Sequence, residues 1–241
     1  MKLQQIPKKI AERLTRHAYN LFGVDFISIA QICGRTDLKQ IGSNYGGWVV
    51  PASIINKDSI CYCVGCGEDI SFDLGLIDFF CCDVFSFDPT PRSIKYVKTA
   101  AGQNQKYHFF DVGLWDKEDR LKFFVPKDPA HVSHSLLNLQ KTDDYIYVDV
   151  KRLSRQMQEL GHEKIDLLKI DIEGAEYKVI DTIIEDKIDI KILCVEYDEY
   201  FNRLDNNYKQ RIRSSVKCLT ENGYSLVYAQ GNGNYTFVRN T

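Results

Sequence analysis

Two acidic residues that directly follow apolar runs are the first feature of this sequence with a chemical meaning. Asp171 follows the run Ile165–Ile170, and Glu196 follows the run Ile190–Val195. A carboxylate in such a position can take a proton from a hydroxyl, orient that hydroxyl, or bind a hard cation. Asp171 and Glu196 are therefore the first candidates for catalytic residues. A divalent metal ion bridging them is a less favoured alternative.

A Gly-x-Gly stretch, Gly65 to Gly67, follows a third apolar run over residues 59–64. Glycine allows a tight turn and a close approach of the backbone to a ligand, and the start of the helix predicted next suits an anionic group. The dinucleotide-binding fingerprint needs a third glycine, but this sequence has Ile70 there. The pattern indicates a cofactor-binding turn, with a plain strand–helix turn as the alternative.

Two further acids accompany the next predicted strands. Asp88 follows the candidate strand Cys81–Phe87, and Asp111 lies near the end of the candidate strand Tyr107–Val112. An acid after the second strand can accept hydrogen bonds from both ribose hydroxyls of an adenosine cofactor. We therefore expect Asp88 to bind ribose, unless it only starts the following turn. Asp111 is a further cofactor-binding candidate.

A long segment with little periodicity, Pro126–Asp144, contains His131 and His134. A connection of this length within one domain often has a function. Two histidines three residues apart could bind a metal, but the spacing fixes no third ligand. The functional interpretation places His134 over the active site, in contact with the acceptor; the alternative is an ordinary surface-loop histidine.

The elements that must position these residues alternate between strands and helices over residues 57–241. The chain ends with two strand candidates, Ser225–Ala229 and Tyr235–Val238, around a turn rich in Gly and Asn, which favours a hairpin. This order predicts a mostly parallel sheet with helices on both faces and an antiparallel strand at the end. Ligands of such sheets bind beyond the carboxyl ends of the strands, where the four candidate acids described above are expected to lie.

Length and composition set further limits. The 241 residues carry a formal net charge of −2, which fits one α/β domain and disfavours nucleic-acid binding by bulk charge. Residues 1–56 are predicted to form a helical cap on that domain. No run is long and apolar enough for a transmembrane segment. The start does not resemble a secretory signal, so the eight cysteines are expected to be reduced thiols in the cytoplasm.

Five segments of the chain resemble the FkbM family of S-adenosylmethionine-dependent methyltransferases. They are CVGCGEDISFD, FDPTP, VSHSLLN, LLKIDIEGAEYKVI and CVEYDE, and they occur in the family's order over about residues 45–200. The stretch KIDIEGAE is the most specific of them, whereas the glycine turn is found in many other proteins. The upstream YGGWVVP is also similar to a segment of some bacterial members.

The resemblance implies a class I methyltransferase fold, which is a Rossmann-like three-layer sandwich with a seven-stranded sheet. It also implies O-methylation, often of a sugar hydroxyl in a glycan or natural product. By position, Gly65 and Gly67 would border the amino-acid part of S-adenosylmethionine, Asp88 would bind its ribose, and Asp171 is the acid after the fourth strand. Many class I enzymes have an acid just before the glycine turn, where this chain has Cys63. Glu68 or Asp69 would then supply that contact.

Two other functions remain open from the sequence. A nicotinamide-dependent oxidoreductase would explain the glycine turn and Asp88, but neither KIDIEGAE nor the terminal hairpin. A non-catalytic cofactor-binding or interaction module would need no acid at Asp171. The acceptor is expected to be a small molecule or a glycan. Tyr45, Trp48 and Trp115 could stack on a sugar, although packing explains aromatic residues equally well.

Overall fold

A seven-stranded sheet forms the centre of the protein. The computed structural model describes residues 31–128, 134–138, 140–200, 202–230 and 233–240. From one edge to the other, the strands are β5 (Tyr107–Phe110), β4 (Asp83–Phe87), β3 (Ile60–Val64), β9 (Ile165–Ile170), β10 (Ile190–Glu196), β12 (Asn234–Arg239) and β11 (Tyr224–Ala229). The first five are parallel, and β12 runs antiparallel to both β10 and β11. The mostly parallel sheet with a terminal antiparallel hairpin is thereby confirmed.

The central strands are buried on both faces, which explains their continuous apolar sequences. On β3, Tyr62 packs into the core on one face of the sheet and Cys63 into the core on the other. All six residues of β9 are buried. The residues Cys61–Cys63 therefore pack within the strand, where cysteine serves as a small apolar residue.

In the described residues, five helices cover the two faces of the sheet. They are α1 (Ser71–Phe80), α2 (Pro91–Ala100), α3 (Leu153–Leu160), α4 (Glu176–Glu185) and α5 (Tyr208–Glu221). Apolar residues of α1 and α2 pack into one core, and those of α3, α4 and α5 into the other. This is the three-layer, Rossmann-like arrangement of class I methyltransferases, as predicted.

A separate three-stranded sheet lies between β5 and α3 in the chain. It consists of β6 (Gly113–Leu114), β7 (Asp119–Phe124) and β8 (Tyr145–Lys151), with β8 between the other two. The sequence predicts strands over Leu121–Val125 and Tyr145–Val150, close to β7 and β8, but not a second sheet. Alternation identifies a half-buried strand, whereas the choice of partner depends on contacts distant in sequence.

The described part of the predicted N-terminal helical cap is a β-hairpin. Strands β1 (Leu38–Ile41) and β2 (Trp48–Pro51) pair antiparallel, and a short 3-10 turn, Ala52–Ile54, follows. The alternating burial of β2 and the Gly-Gly pair before it suit a hairpin better than a helix. The basic helix predicted at the start lies outside the described residues, and the domain boundary at residue 56 remains a prediction.

Each of the eight cysteines has a free thiol. Within the ranges given above, no helix combines the length and the apolar composition needed to cross a bilayer.

Candidate active site

The switch point of the sheet lies between β3 and β9. The chain leaves β3 toward β4 and leaves β9 toward β10, on opposite sides. Gly65 and Asp171 follow these two strands and touch: a Cβ atom on Gly65 would lie 1.7 Å from the carbonyl oxygen of Asp171. Gly65 also has a φ of +79°. The close approach expected of this glycine is therefore made to the chain's own backbone.

A buried cation holds Asp171 in place. Lys169, whose side chain is 8% exposed, lies 3.0 Å from Asp171 Oδ2 and also donates a hydrogen bond to the Gly65 carbonyl. Burial alone would lower the pKa of Lys169, but the negative charges of Asp171 and Asp73 outweigh it and raise the pKa. Sequence reasoning missed Lys169, although a single cation within the apolar run IDLLKI was the available signal.

Glu196 ends the strand next to β9 and lies beside Asp171. The register pairs Val195 with Ile170, so the two acids follow neighbouring positions on parallel strands. Burial raises the pKa of Glu196 to about 9, and the negative charge of Asp171 acts in the same direction. At neutral pH Glu196 therefore carries a proton. The structure brings together the two acids that the sequence selected.

Two more buried acids, Glu176 and Asp198, lie behind this pair. Oε1 of Glu176 accepts hydrogen bonds from the N–H groups of Ile172 (3.2 Å) and Gly174 (3.0 Å), so Glu176 caps the turn that follows β9. Its other oxygen faces Asp198, and burial raises the pKa of both carboxyls. A proton shared between them removes the repulsion of two buried negative charges.

Asp88 holds the glycine turn in place through hydrogen bonds. Its Oδ2 accepts hydrogen bonds from the N–H groups of Cys66 (3.1 Å) and Gly67 (3.0 Å). Its Oδ1 accepts from both the N–H (2.9 Å) and the hydroxyl (2.7 Å) of Thr90. A carboxylate has about four acceptor positions, and all of them are used here. A ribose could bind Asp88 only by exchanging with one of these donors.

Asp69 links the glycine turn to the N-terminal hairpin. Its Oδ1 accepts from the N–H of Ser71 at the start of α1 (2.8 Å), and its Oδ2 accepts from the Ser43 hydroxyl (2.7 Å). Burial favours a higher pKa, but these hydrogen bonds outweigh it and lower the pKa of Asp69. Glu68 instead forms an ion pair with Arg92 at the surface. Asp69 is thus the acid held between turn and hairpin.

The remaining predicted residues, Asp111 and His134, are positioned by other strands. Asp111 is exposed at the bend after β5. His134 precedes Ser135, which pairs with Phe124 at the end of β7. His134 is therefore positioned by the three-stranded sheet, whereas Asp171 and Glu196 follow strands of the central sheet. Among the described side chains, no three His, Cys, Asp or Glu groups are placed to hold one metal ion.

A shallow cavity of about 630 Å³ lies at the opposite edge of the sheet, where the strands begin. Its lining includes Lys57 and Lys106, which are paired with Asp58 and Asp83. The carboxyl edge carries Asp171, Glu196 and the glycine turn. Its chemistry, and not its concavity, makes it the candidate active site.

The raised pKa of Glu196 predicts a pH-dependent stability. Its pKa is about 9 in the folded protein and about 4.3 in an unfolded chain, so between these values the folded state binds the additional proton. The free energy of unfolding then falls as pH rises, by about 1.4 kcal/mol per pH unit from this group. We expect Glu196→Gln to lose this contribution in urea titrations at pH 6, 7 and 8, whereas Glu163→Gln, at an exposed site, keeps it. An unchanged slope in Glu196→Gln would contradict the assignment.

Solved structures with a similar arrangement include two fibrillarins. The Methanococcus jannaschii fibrillarin, a pre-rRNA processing protein, aligns with a TM-score of 0.46 and 12% identity over 85% of this chain and 83% of that chain. The Aeropyrum pernix fibrillarin, solved with natively bound S-adenosyl-L-methionine, aligns with a TM-score of 0.42 and 8% identity over 87% of this chain and 86% of that one.

Curated relatives are methyltransferases by name. A probable methyltransferase-like protein 24 of Rattus norvegicus is 27% identical over 67% of this chain and 42% of its own length. The 2-O-methyltransferase NoeI of Sinorhizobium fredii is 25% identical over 48% of this chain and 54% of its own length. The chain thus spans about half or less of these relatives. The family model described as the methyltransferase FkbM domain matches residues 45–226, and the chain therefore belongs to the FkbM methyltransferase family.

Proposed function

We propose that this protein is an S-adenosylmethionine-dependent O-methyltransferase that acts on a hydroxyl of a sugar in a glycan or natural product. The observation that carries the proposal is the pair Asp171 and Glu196 beside the glycine turn, at the switch point of the sheet. Family membership supports methyl transfer. The relative named as a 2-O-methyltransferase supports a hydroxyl acceptor.

The residues at this edge fit the proposed cofactor. S-adenosylmethionine supplies an activated methyl group on a positively charged sulfur. Asp171 and Glu173 lie near Glu196, and their negative charge suits a cation. We assign the turn from Gly65 to Gly67 to the amino-acid part of the cofactor.

The adenosine end of the cofactor requires contacts on the other side of the turn. Asp88 is proposed to bind the ribose by exchanging a hydrogen bond now made within the chain, and Asp111 is a further cofactor contact. Asp69 takes the place of the acid that many class I enzymes carry before the turn. Cys63 cannot do so because its side chain is buried in the core on the α1 face.

Asp171 is our first candidate for the proton acceptor. It is the carboxylate of an ion pair with Lys169, which fixes its position, whereas Glu196 already carries a proton at neutral pH. A positioned base contributes about 10²- to 10⁴-fold to the rate, and alignment of the reactants can supply roughly 7–11 kcal/mol. Glu196 would orient the acceptor as a hydrogen-bond donor. His134 is proposed to contact the acceptor from the long loop.

Calorimetric titration with S-adenosylhomocysteine, with NAD as the comparison ligand, tests the cofactor. We expect S-adenosylhomocysteine alone to bind. Asp88→Ala should weaken its binding by at least about tenfold, because one to two hydrogen bonds to a charged group are lost. Asp83→Ala, at the other end of the same strand, should bind normally. A urea titration of each variant shows whether weaker binding comes from a lost contact with the ligand or from an unfolded protein.

Other outcomes would select a different function. Binding of NAD alone would favour an oxidoreductase, and binding of neither ligand would favour an interaction module. Unchanged affinity in a folded Asp88→Ala variant would remove Asp88 from the cofactor site.

A further inference from the structure

The exposed aromatic ring of Tyr45 lies in the turn of the N-terminal hairpin. Its side chain is 88% exposed, more than that of any other large hydrophobic residue in the described part of the chain. Of the three aromatic residues that the sequence offered for stacking, Trp48 is buried in the core. Trp115 follows β6, and its backbone N–H donates a hydrogen bond to the Lys151 carbonyl of the three-stranded sheet. Trp115 is half-buried, so Tyr45 is the most exposed of the three.

The turn that carries Tyr45 is fixed to the candidate active site. The Ser43 hydroxyl oxygen accepts hydrogen bonds from the N–H groups of Tyr45 (3.1 Å) and Gly46 (2.9 Å). The same hydroxyl donates to Asp69, which lies two residues after Gly67 at the end of the glycine turn. A Cβ atom on Gly46 would lie 2.8 Å from the Asp69 carboxylate, so the two segments are in direct contact. An exposed ring on a fixed backbone can bind a ligand with little loss of entropy.

The Tyr45 hydroxyl lies within electrostatic range of the carboxyls of the site. Loss of hydration at the hydroxyl, followed by the negative charges of Asp171, Glu196 and Glu173, raises the pKa of Tyr45. The contacts of its turn with Asp69, just after the glycine turn that touches Asp171, place Tyr45 at the same edge as the two proposed catalytic acids.

An aromatic ring opposite carboxyl groups complements a sugar. The C–H face of a pyranose can pack on the ring, while its hydroxyls donate hydrogen bonds to carboxylates. A flat aromatic acceptor would place its second face against the acids, which would lose hydration without gaining donors. We propose that Tyr45 is the acceptor platform, on which a sugar ring stacks with a hydroxyl directed at Asp171. This inference rests on the function proposed above.

Saturation-transfer NMR with the methyl glycosides of glucose, galactose, mannose and fucose as probes tests the platform. The spectra are recorded with S-adenosylhomocysteine present, after its binding to each variant has been measured by calorimetry. We expect the wild type to bind at least one probe, and Tyr45→Ala to bind that probe about tenfold more weakly. Tyr45→Phe should bind it as the wild type does, because stacking needs the ring and not the hydroxyl. Tyr147→Ala, which removes a half-exposed tyrosine from β8, is the matched control.

The possible failures are distinguishable. Equal probe binding by wild type and Tyr45→Ala would overturn the platform. Absence of any probe signal from a wild type that binds S-adenosylhomocysteine would overturn the sugar as acceptor. A wild type that does not bind S-adenosylhomocysteine would contradict the proposed function itself.

Discussion

Gly65→Ala is expected to destabilise the protein by at least about 3 kcal/mol and to abolish binding of S-adenosylhomocysteine. The new methyl group would lie 1.7 Å from the Asp171 carbonyl oxygen, which is backbone and cannot rotate away. The turns after β3 and β9 would have to separate. Separation would displace the glycine turn from Asp88 and the Asp171 carboxylate from Lys169. Urea unfolding and calorimetry measure the two effects.

Gly161→Ala is the matched control for this substitution. Gly161 has a φ of +72°, close to that of Gly65, but nothing lies within 4 Å of the Cβ position. Its replacement therefore costs only the backbone strain of an alanine in that conformation, about 1–2 kcal/mol. Equal destabilisation by the two substitutions would show that strain, and not the contact with Asp171, accounts for the loss at Gly65.

Asp171→Asn is expected to lower the turnover number by at least about 100-fold while cofactor affinity changes little, because asparagine cannot take a proton. The measurement uses a labelled methyl donor and the methyl glycoside that the wild type binds best. The substitution also leaves the buried Lys169 ammonium without its carboxylate, which should lower stability. Loss of activity must therefore be separated from loss of folding.

The double variant Lys169→Met/Asp171→Asn distinguishes loss of activity from loss of folding. Removing both charges should recover stability relative to Asp171→Asn, since the Lys169 ammonium no longer lies buried without the Asp171 carboxylate. Activity should not recover with it. If the double variant regained turnover along with stability, Asp171 would be a structural partner of Lys169. Full activity in Asp171→Asn alone would move the base elsewhere.

The central sheet could be predicted because buried parallel strands leave a strong signal in sequence. The predicted strand Ile165–Ile170 has the bounds of β9. The sequence also predicts a helix near Leu153–Leu160 that stops at Gly161, and Gly161 takes the left-handed conformation at the end of α3. Asp171 and Glu196 could be selected because the carboxyl ends of neighbouring parallel strands must lie side by side.

The contacts that complete the site could not be predicted from local patterns. Ser43 and Asp69 are 26 residues apart and belong to elements whose pairing no periodicity encodes. Lys169 sits in an apolar strand, and only the three-dimensional positions of Asp171 and Asp73 show why a charge is tolerated there. The separate sheet of β6, β7 and β8 was missed for the same reason.

The attachment of the hairpin has a consequence for cooperativity. Besides the bond from Ser43 to Asp69, the Thr236 hydroxyl of β12 donates to the Val49 carbonyl of β2 (2.7 Å). Trp48 and Val50 are buried in the same core as Phe72 of α1. We therefore expect residues 38–51 to open and close together with the first helix and the far side of the sheet, as one unit of local unfolding. The smallest cooperative folding unit of this chain would then include the hairpin and extend upstream of residue 57.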